Sequence, residues 1–198
     1  EPGEVINVNG TAEITLVCLP ACYGSTAYNV RAHVLPNRWL TLYVMNAGGK
    51  AYEWFHSLFC SEMTTTQFYD DFVPRALERW IDKPNGVDYV PYLMGSRYSL
   101  QNLKAEFVNL TQESTREQLL AALVRSLCRY QREHLKEIAL RVPLADEITL
   151  TGGASNETRI RAKQKWMREG DYVYQEQSSM RGAALLGAEF LQSGYQSV

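Results

Sequence analysis

Leu119, Leu120, Leu123, Val124, Leu127, Cys128, Leu135 and Ile138 recur three or four residues apart, laying one apolar stripe along a helix over residues 114–138. A stripe that long must be covered, so the rest of the chain has to supply a layer to pack on it. Ser114 with Glu117 reads as the capping box that starts the helix. After Pro143 the pattern alternates: a strand from Glu147 to Thr151, Gly152-Gly153, a helix from Asn156 to Arg168, Gly170, a strand from Tyr172 to Gln175, and a helix from Met180 to Gln192. Upstream, β segments run from Val5 to Val17 around the Asn9-Gly10 turn, and from Asn29 to Leu35 and Trp39 to Met45 around Pro36-Asn37. Helices follow over Gly49–Cys60 and Thr66–Trp80, the second opened by Thr64 and Gln67, and a short strand over VDYVPYLMG. From pattern alone the expectation is an α/β chain, a mixed sheet layered with helices. With 45% hydrophobic residues over 1–198 and no long linker, a single domain is expected.

Several function classes lose support early. The net charge of -2 provides no positive field for nucleic acid or an anionic membrane. No apolar run approaches the roughly 18 residues of a membrane span, and EPGEVINV lacks a signal-peptide layout, so a cytoplasmic chain with no membrane partner is expected. Cys18, Cys60 and Cys128 sit in apolar stretches and read as buried residues; with Cys22 they make no metal-binding set. His33, His56 and His134 are scattered, with no nucleophile and carboxylate at a recognisable spacing. Asp70 and Asp71 are adjacent on a helix, point about 100° apart and read as solvated. Arg159, Arg161, Lys163, Lys165 and Arg168 read as a solvent-facing basic helix surface.

Three segments remain that suit a polar ligand. Glu147 to Ala154 runs strand, two glycines, helix start, which turns backbone N–H groups and a positive dipole end outward, with Ser155 or Asn156 as the cap. The same pattern also serves simply to reverse a chain. Asn9-Gly10-Thr11 makes a tight turn with a hydroxyl beside it, suited to phosphate oxygens, and equally reads as an ordinary type I′ hairpin. Gly48-Gly49-Lys50 is not a P-loop, because Val44 and Ala51 stand where a glycine and a Ser or Thr are required; the glycines either line a cleft or allow close packing.

Taken in order, these segments resemble the C-terminal domain of the FGGY carbohydrate kinases, the group of xylulokinase, ribulokinase and glycerol kinase. Asn9-Gly10-Thr11 looks like the family's Gly-Thr phosphate turn, and AHVLPNRWLTLYVMNAGGKAYEWF is similar to its stretch of His, Pro, Trp, small glycines and a helix. PYLMGSRYS resembles Pro-Tyr-Leu-x-Gly-Glu-Arg-x-Pro, ITLTGGASN the adenosine motif, and RGAALLGAEF the final alanine-rich helix. Ser96, Leu100 and Lys104-Ala105-Glu106 depart from the family pattern.

The resemblance implies the ribonuclease H-like, actin-like ATPase fold, with two lobes closing over ATP, Mg²⁺ and a small sugar. This chain would be the second, nucleotide-binding lobe. Gly10 and Thr11 would meet the β- and γ-phosphates, Gly49 and Glu53 would lie near the nucleotide, and Gly152, Gly153, Ala154 and Ser155 would border the adenosine. No catalytic residue is assigned, because the family's aspartate base lies upstream of the Gly-Thr turn; the N-terminal lobe would be the partner, and the lobe alone would be inactive. A homodimer is compatible with this reading. Two functions follow from it: a lobe of an ATP-dependent carbohydrate kinase acting on a pentulose-like sugar or polyol, or a non-catalytic actin-like nucleotide-binding or regulatory module.

Overall fold

The computed structural model describes residues 1–153 and 156–192. β1 (Val5–Asn9) and β2 (Glu13–Leu19) form an antiparallel hairpin in which Asn9 pairs with Glu13. Its loop is not the type I′ turn suggested by Asn-Gly. Three residues, Gly10 to Ala12, make the bend, the Gly10 N–H donates to the Ala12 carbonyl at 3.0 Å, and neither Asn9 nor Gly10 takes a positive φ. β3 (Asn29–Ala32) pairs antiparallel with β4 (Trp39–Met45), and β4 with β2. On the other side of β1, β7 (Glu147–Gly152) and then β8 (Asp171–Tyr174) add in parallel, giving the order β3-β4-β2-β1-β7-β8. β1 is the seam of a mixed sheet, antiparallel to one neighbour and parallel to the other. β5 (Asp88–Val90) and β6 (Glu106–Val108) form a separate two-stranded sheet, the second strand lying in AEFVNL where none was expected.

The helices are α1 (Gly49–Phe59), α2 (Val73–Trp80), α3 (Arg116–Ala139), α4 (Glu157–Trp166) and α5 (Ser178–Gln192). α3 buries the expected stripe, but its capping box is one residue later than Ser114 and Glu117. Thr115 is extended, its side chain accepts from the Gln118 N–H, and the Gln118 side chain accepts from the Thr115 N–H at 3.0 Å. Ser114 is used in the preceding turn, accepting from the Thr111 N–H at 2.9 Å. The helix expected over Thr66–Trp80 does open on Thr64 and Gln67, then widens to a π-helical stretch at Gln67–Phe72 before α2 begins. Pro74 explains the widening: it has no N–H for the carbonyl four residues back, and its ring would collide with that carbonyl in a regular helix. The wider turn still puts Phe68 and Phe72 fully into the core. No residue of α5 is buried; Leu185 and Leu191 are 71% and 80% exposed. Among the described residues no helix is long and apolar enough to cross a membrane.

The sheet face covered by α3 is unexpectedly polar. Asn7, Glu13, Thr15 and Thr41 are buried on it, whereas Ile6, Val8, Ile14 and Leu16 lie half-buried on the opposite face. From α3, Gln131 donates to the Glu13 carbonyl at 3.3 Å and His134 Nε2 lies 3.1 Å from Thr41 Oγ1. His134 stacks on Tyr43 at 4.6 Å and meets the edge of Tyr28 at 5.2 Å, and among the described residues its Nδ1 has no hydrogen-bond partner.

Burial pushes the His134 imidazolium down to about 3. The unfolded chain therefore binds this proton more readily, and stability present above the ordinary histidine pKa is lost as pH falls towards 3, at up to about 1.4 kcal/mol per pH unit. Urea midpoints measured from pH 7 to pH 5 should fall more steeply for the wild type than for His134→Gln; equal slopes would contradict this.

Candidate functional site

A cavity of about 230 Å³ opens where the end of β1 meets the starts of α1 and α4. Three successive carbonyls build its rim. The Gly10 carbonyl accepts from the Gly49 N–H at 2.8 Å, and the Thr11 carbonyl from the Lys50 N–H at 3.1 Å, so the first amides of α1 are engaged by the loop and do not face an anion. On the far side the Asn9 carbonyl accepts from the Gly153 N–H at 2.9 Å. These approaches require glycine. A Cβ on Gly49 would stand 2.7 Å from the Gly10 oxygen, and one on Gly152 only 2.3 Å from the Asn9 oxygen, where φ is already +98.

α3 contributes an apolar wall of Val124, Leu127 and Cys128, continued by Leu150 and Ile160. Burial pushes the Cys128 thiol up to about 12, which leaves it protonated and unreactive. The remaining lining is polar. Glu13, the first residue of β2, receives hydrogen bonds at Oε1 from Lys163 Nζ at 2.7 Å and from Asn7 Nδ2 at 3.0 Å; both partners of the ion pair are almost wholly buried. Asn7 is held in turn by Thr15 Oγ1 at 3.1 Å and by Asn9 Nδ2 at 3.0 Å. The Arg159 guanidinium lies 4.9 Å from the ring of Tyr52 and 5.3 Å from that of Tyr69, a stacked set of flat surfaces on the cavity wall.

Of the residues singled out from sequence, Gly10, Thr11, Gly49, Glu53 and Gly153 border this one cavity. Gly152 is not on its wall but holds the rim by packing on Asn9. Ala154 and Ser155 lie outside the described residues. Glu53 is exposed and paired with Lys50 at 2.8 Å. Glu13, Tyr52, Tyr69, Arg159 and Lys163 went unrecognised, and the basic helix is corrected accordingly. Arg159 and Lys163 are each 8% exposed, whereas Arg161 and Lys165 reach outward to Asp82. The four-residue interval between Arg159 and Lys163 was the available signal, since it places them on one helical face.

No protein-family model matches the sequence, and no curated protein does. Solved structures do. The chain superposes on xylulose kinase from Rhodospirillum rubrum with a TM-score of 0.85 and 18% identity, covering 100% of this chain and 40% of that one. For gluconate kinase from Lactobacillus acidophilus the TM-score is 0.79 and the identity 18%, over 98% and 40% of the two chains. Glycerol kinase from Plasmodium falciparum, solved with ADP, matches at a TM-score of 0.63 and 12% identity, over 100% and 48%. The chain thus spans less than half the length of each of these proteins. At such identities the likeness establishes the fold: the ribonuclease H-like α/β architecture of the actin-like ATPases.

Two variants test the construction of the site. Gly152→Ala should lower stability by about 3 kcal/mol in chemical denaturation, since the left-handed backbone and the Asn9 oxygen both oppose a side chain. Lys163→Met should lower it by about 3–5 kcal/mol by stranding a buried carboxylate, with most of that loss recovered in Glu13→Gln/Lys163→Met. Additive effects of the two changes would show that Glu13 and Lys163 are not coupled.

Proposed function

We propose that this chain is the nucleotide-holding lobe of an ATP-dependent carbohydrate kinase that transfers the γ-phosphoryl of ATP to a hydroxyl of a small, pentulose-like sugar or polyol. The observation that carries this reading is the shared cavity: the glycine loop after β1 and the glycine turn after β7 border one space, flanked by flat and apolar surfaces. Its 230 Å³ lies below the roughly 300–1,000 Å³ that encloses a whole drug-sized ligand. The fit is therefore to the nucleoside end, with the polyphosphate running out past Gly10 and Thr11. There the Thr11 hydroxyl is the side chain available to donate to a phosphate oxygen. Gly49 and Gly153 keep the rim low enough for the polyphosphate to approach the backbone.

Among the described residues no group of three His, Cys, Asp or Glu is placed to hold a metal ion. Mg²⁺ would enter with the nucleotide, held largely by phosphate oxygens and water, where it would neutralise charge during in-line transfer. The chain's own contribution is positional: it fixes the nucleotide while the other lobe brings the sugar and the base. The matched structures, which act on xylulose, gluconate and glycerol by their names and of which one was solved with ADP, support a kinase parent.

Calorimetry should show Mg²⁺–ATP binding to the purified protein, weakened at least tenfold by Gly49→Ala, whose Cβ would displace the loop. The whole protein should phosphorylate at least one member of a ketose and polyol panel. ATP binding without turnover on any of them would replace the kinase by the non-catalytic module, and absence of ATP binding would overturn the nucleotide reading.

A further inference from the structure

Resting on the nucleotide reading of the cavity, we infer that the Glu13–Lys163 pair is a ribose-diol subsite, which makes the chain selective for ribonucleotides over their deoxy counterparts. Neither residue belongs to the segments that suggested nucleotide binding.

The chemistry of the pair leads to this. A lysine ammonium carries three donors, and among the described residues Lys163 Nζ uses one of them, on Glu13 Oε1. Both side chains line the cavity while being about nine-tenths buried. Donors held in such surroundings without a partner are costly, so a ligand that satisfies them gains more than it would at an exposed pair. A carboxylate accepts only and an ammonium donates only. The ligand group facing both must therefore donate and accept at neighbouring atoms, and two vicinal hydroxyls do so: one donates to Glu13, the other accepts from Lys163. Carboxylates serve nucleotide ribose in this manner elsewhere.

Position selects the ribose over the base. Glu13 follows the Gly10–Ala12 loop directly, and an extended chain advances only about 3.3 Å per residue, so its carboxylate stands close behind the loop assigned to phosphate. In a nucleotide the group next to the polyphosphate is the sugar. The base then falls to the surfaces beyond, the Tyr52, Tyr69 and Arg159 set and the wall of Val124 and Leu127, which offer flat or apolar contact. Asn7 keeps the carboxylate oriented from beneath by its hydrogen bond to Oε1.

The test is calorimetric titration of the purified protein with Mg²⁺ complexes of ATP, 2′-deoxy-ATP, 3′-deoxy-ATP and 2′,3′-dideoxy-ATP. The dideoxy compound should bind at least about tenfold more weakly than ATP, as expected where a site built around a hydroxyl meets an analogue lacking it. In Glu13→Gln/Lys163→Met, with folding checked by circular dichroism, the ratio should shrink to within about threefold. Equal affinities for the four nucleotides in the wild type would overturn the ribose assignment and leave the nucleotide reading standing. A preference that survives unchanged in the double variant would likewise overturn it. Failure of every nucleotide to bind would overturn both.

Discussion

Two adjacent carbonyls at the end of β1 hold this structure's site together. The Asn9 oxygen is bound by the amide of Gly153 and the Gly10 oxygen by the amide of Gly49, so three segments far apart in sequence close on one point. The closeness is possible because Gly49 and Gly152 present no Cβ to those oxygens. It also decides where a ligand can be held. The first amides of α1 are engaged by the loop, so the helix terminus acts as a brace for the site, and the cavity's buried charged groups come instead from β2 and α4.

That division gives the buried polar layer its significance. Asn7, Glu13 and Thr15 occupy the covered face of β1 and β2, where an apolar strand face would have packed on α3 at less desolvation cost. The hydrogen bonds linking Asn9, Asn7, Glu13 and Lys163 run from the loop into α4, coupling the rim of the cavity to its interior. Opposite it, Ile6, Val8, Ile14 and Leu16 form a half-buried apolar face.

What could be read from the sequence follows from how local each signal is. The α3 stripe, the β1–β2 hairpin and the strand-turn-helix alternation after Pro143 rest on spacings of a few residues, and the observed elements match them within a residue or two at most ends. The glycine turns were legible as bends for the same reason. The π-helical stretch was not, because Pro74 alters hydrogen bonding four residues upstream without disturbing the apolar period. Glu13 was hidden by its alternation with Ile14 and Leu16, which suggests a solvent-facing acid. Its partner lies 150 residues away, on a helix whose four basic residues look alike until Arg159 and Lys163 are placed on the inner face.

A crystal structure of the protein soaked with a non-hydrolysable ATP analogue and Mg²⁺ tests the central claim most directly. The account predicts nucleoside density inside the space bounded by Gly49, Gly153, Tyr52 and Lys163, with the polyphosphate passing Gly10 and Thr11. Density on another surface, with this cavity still closed by its own side chains, would contradict it.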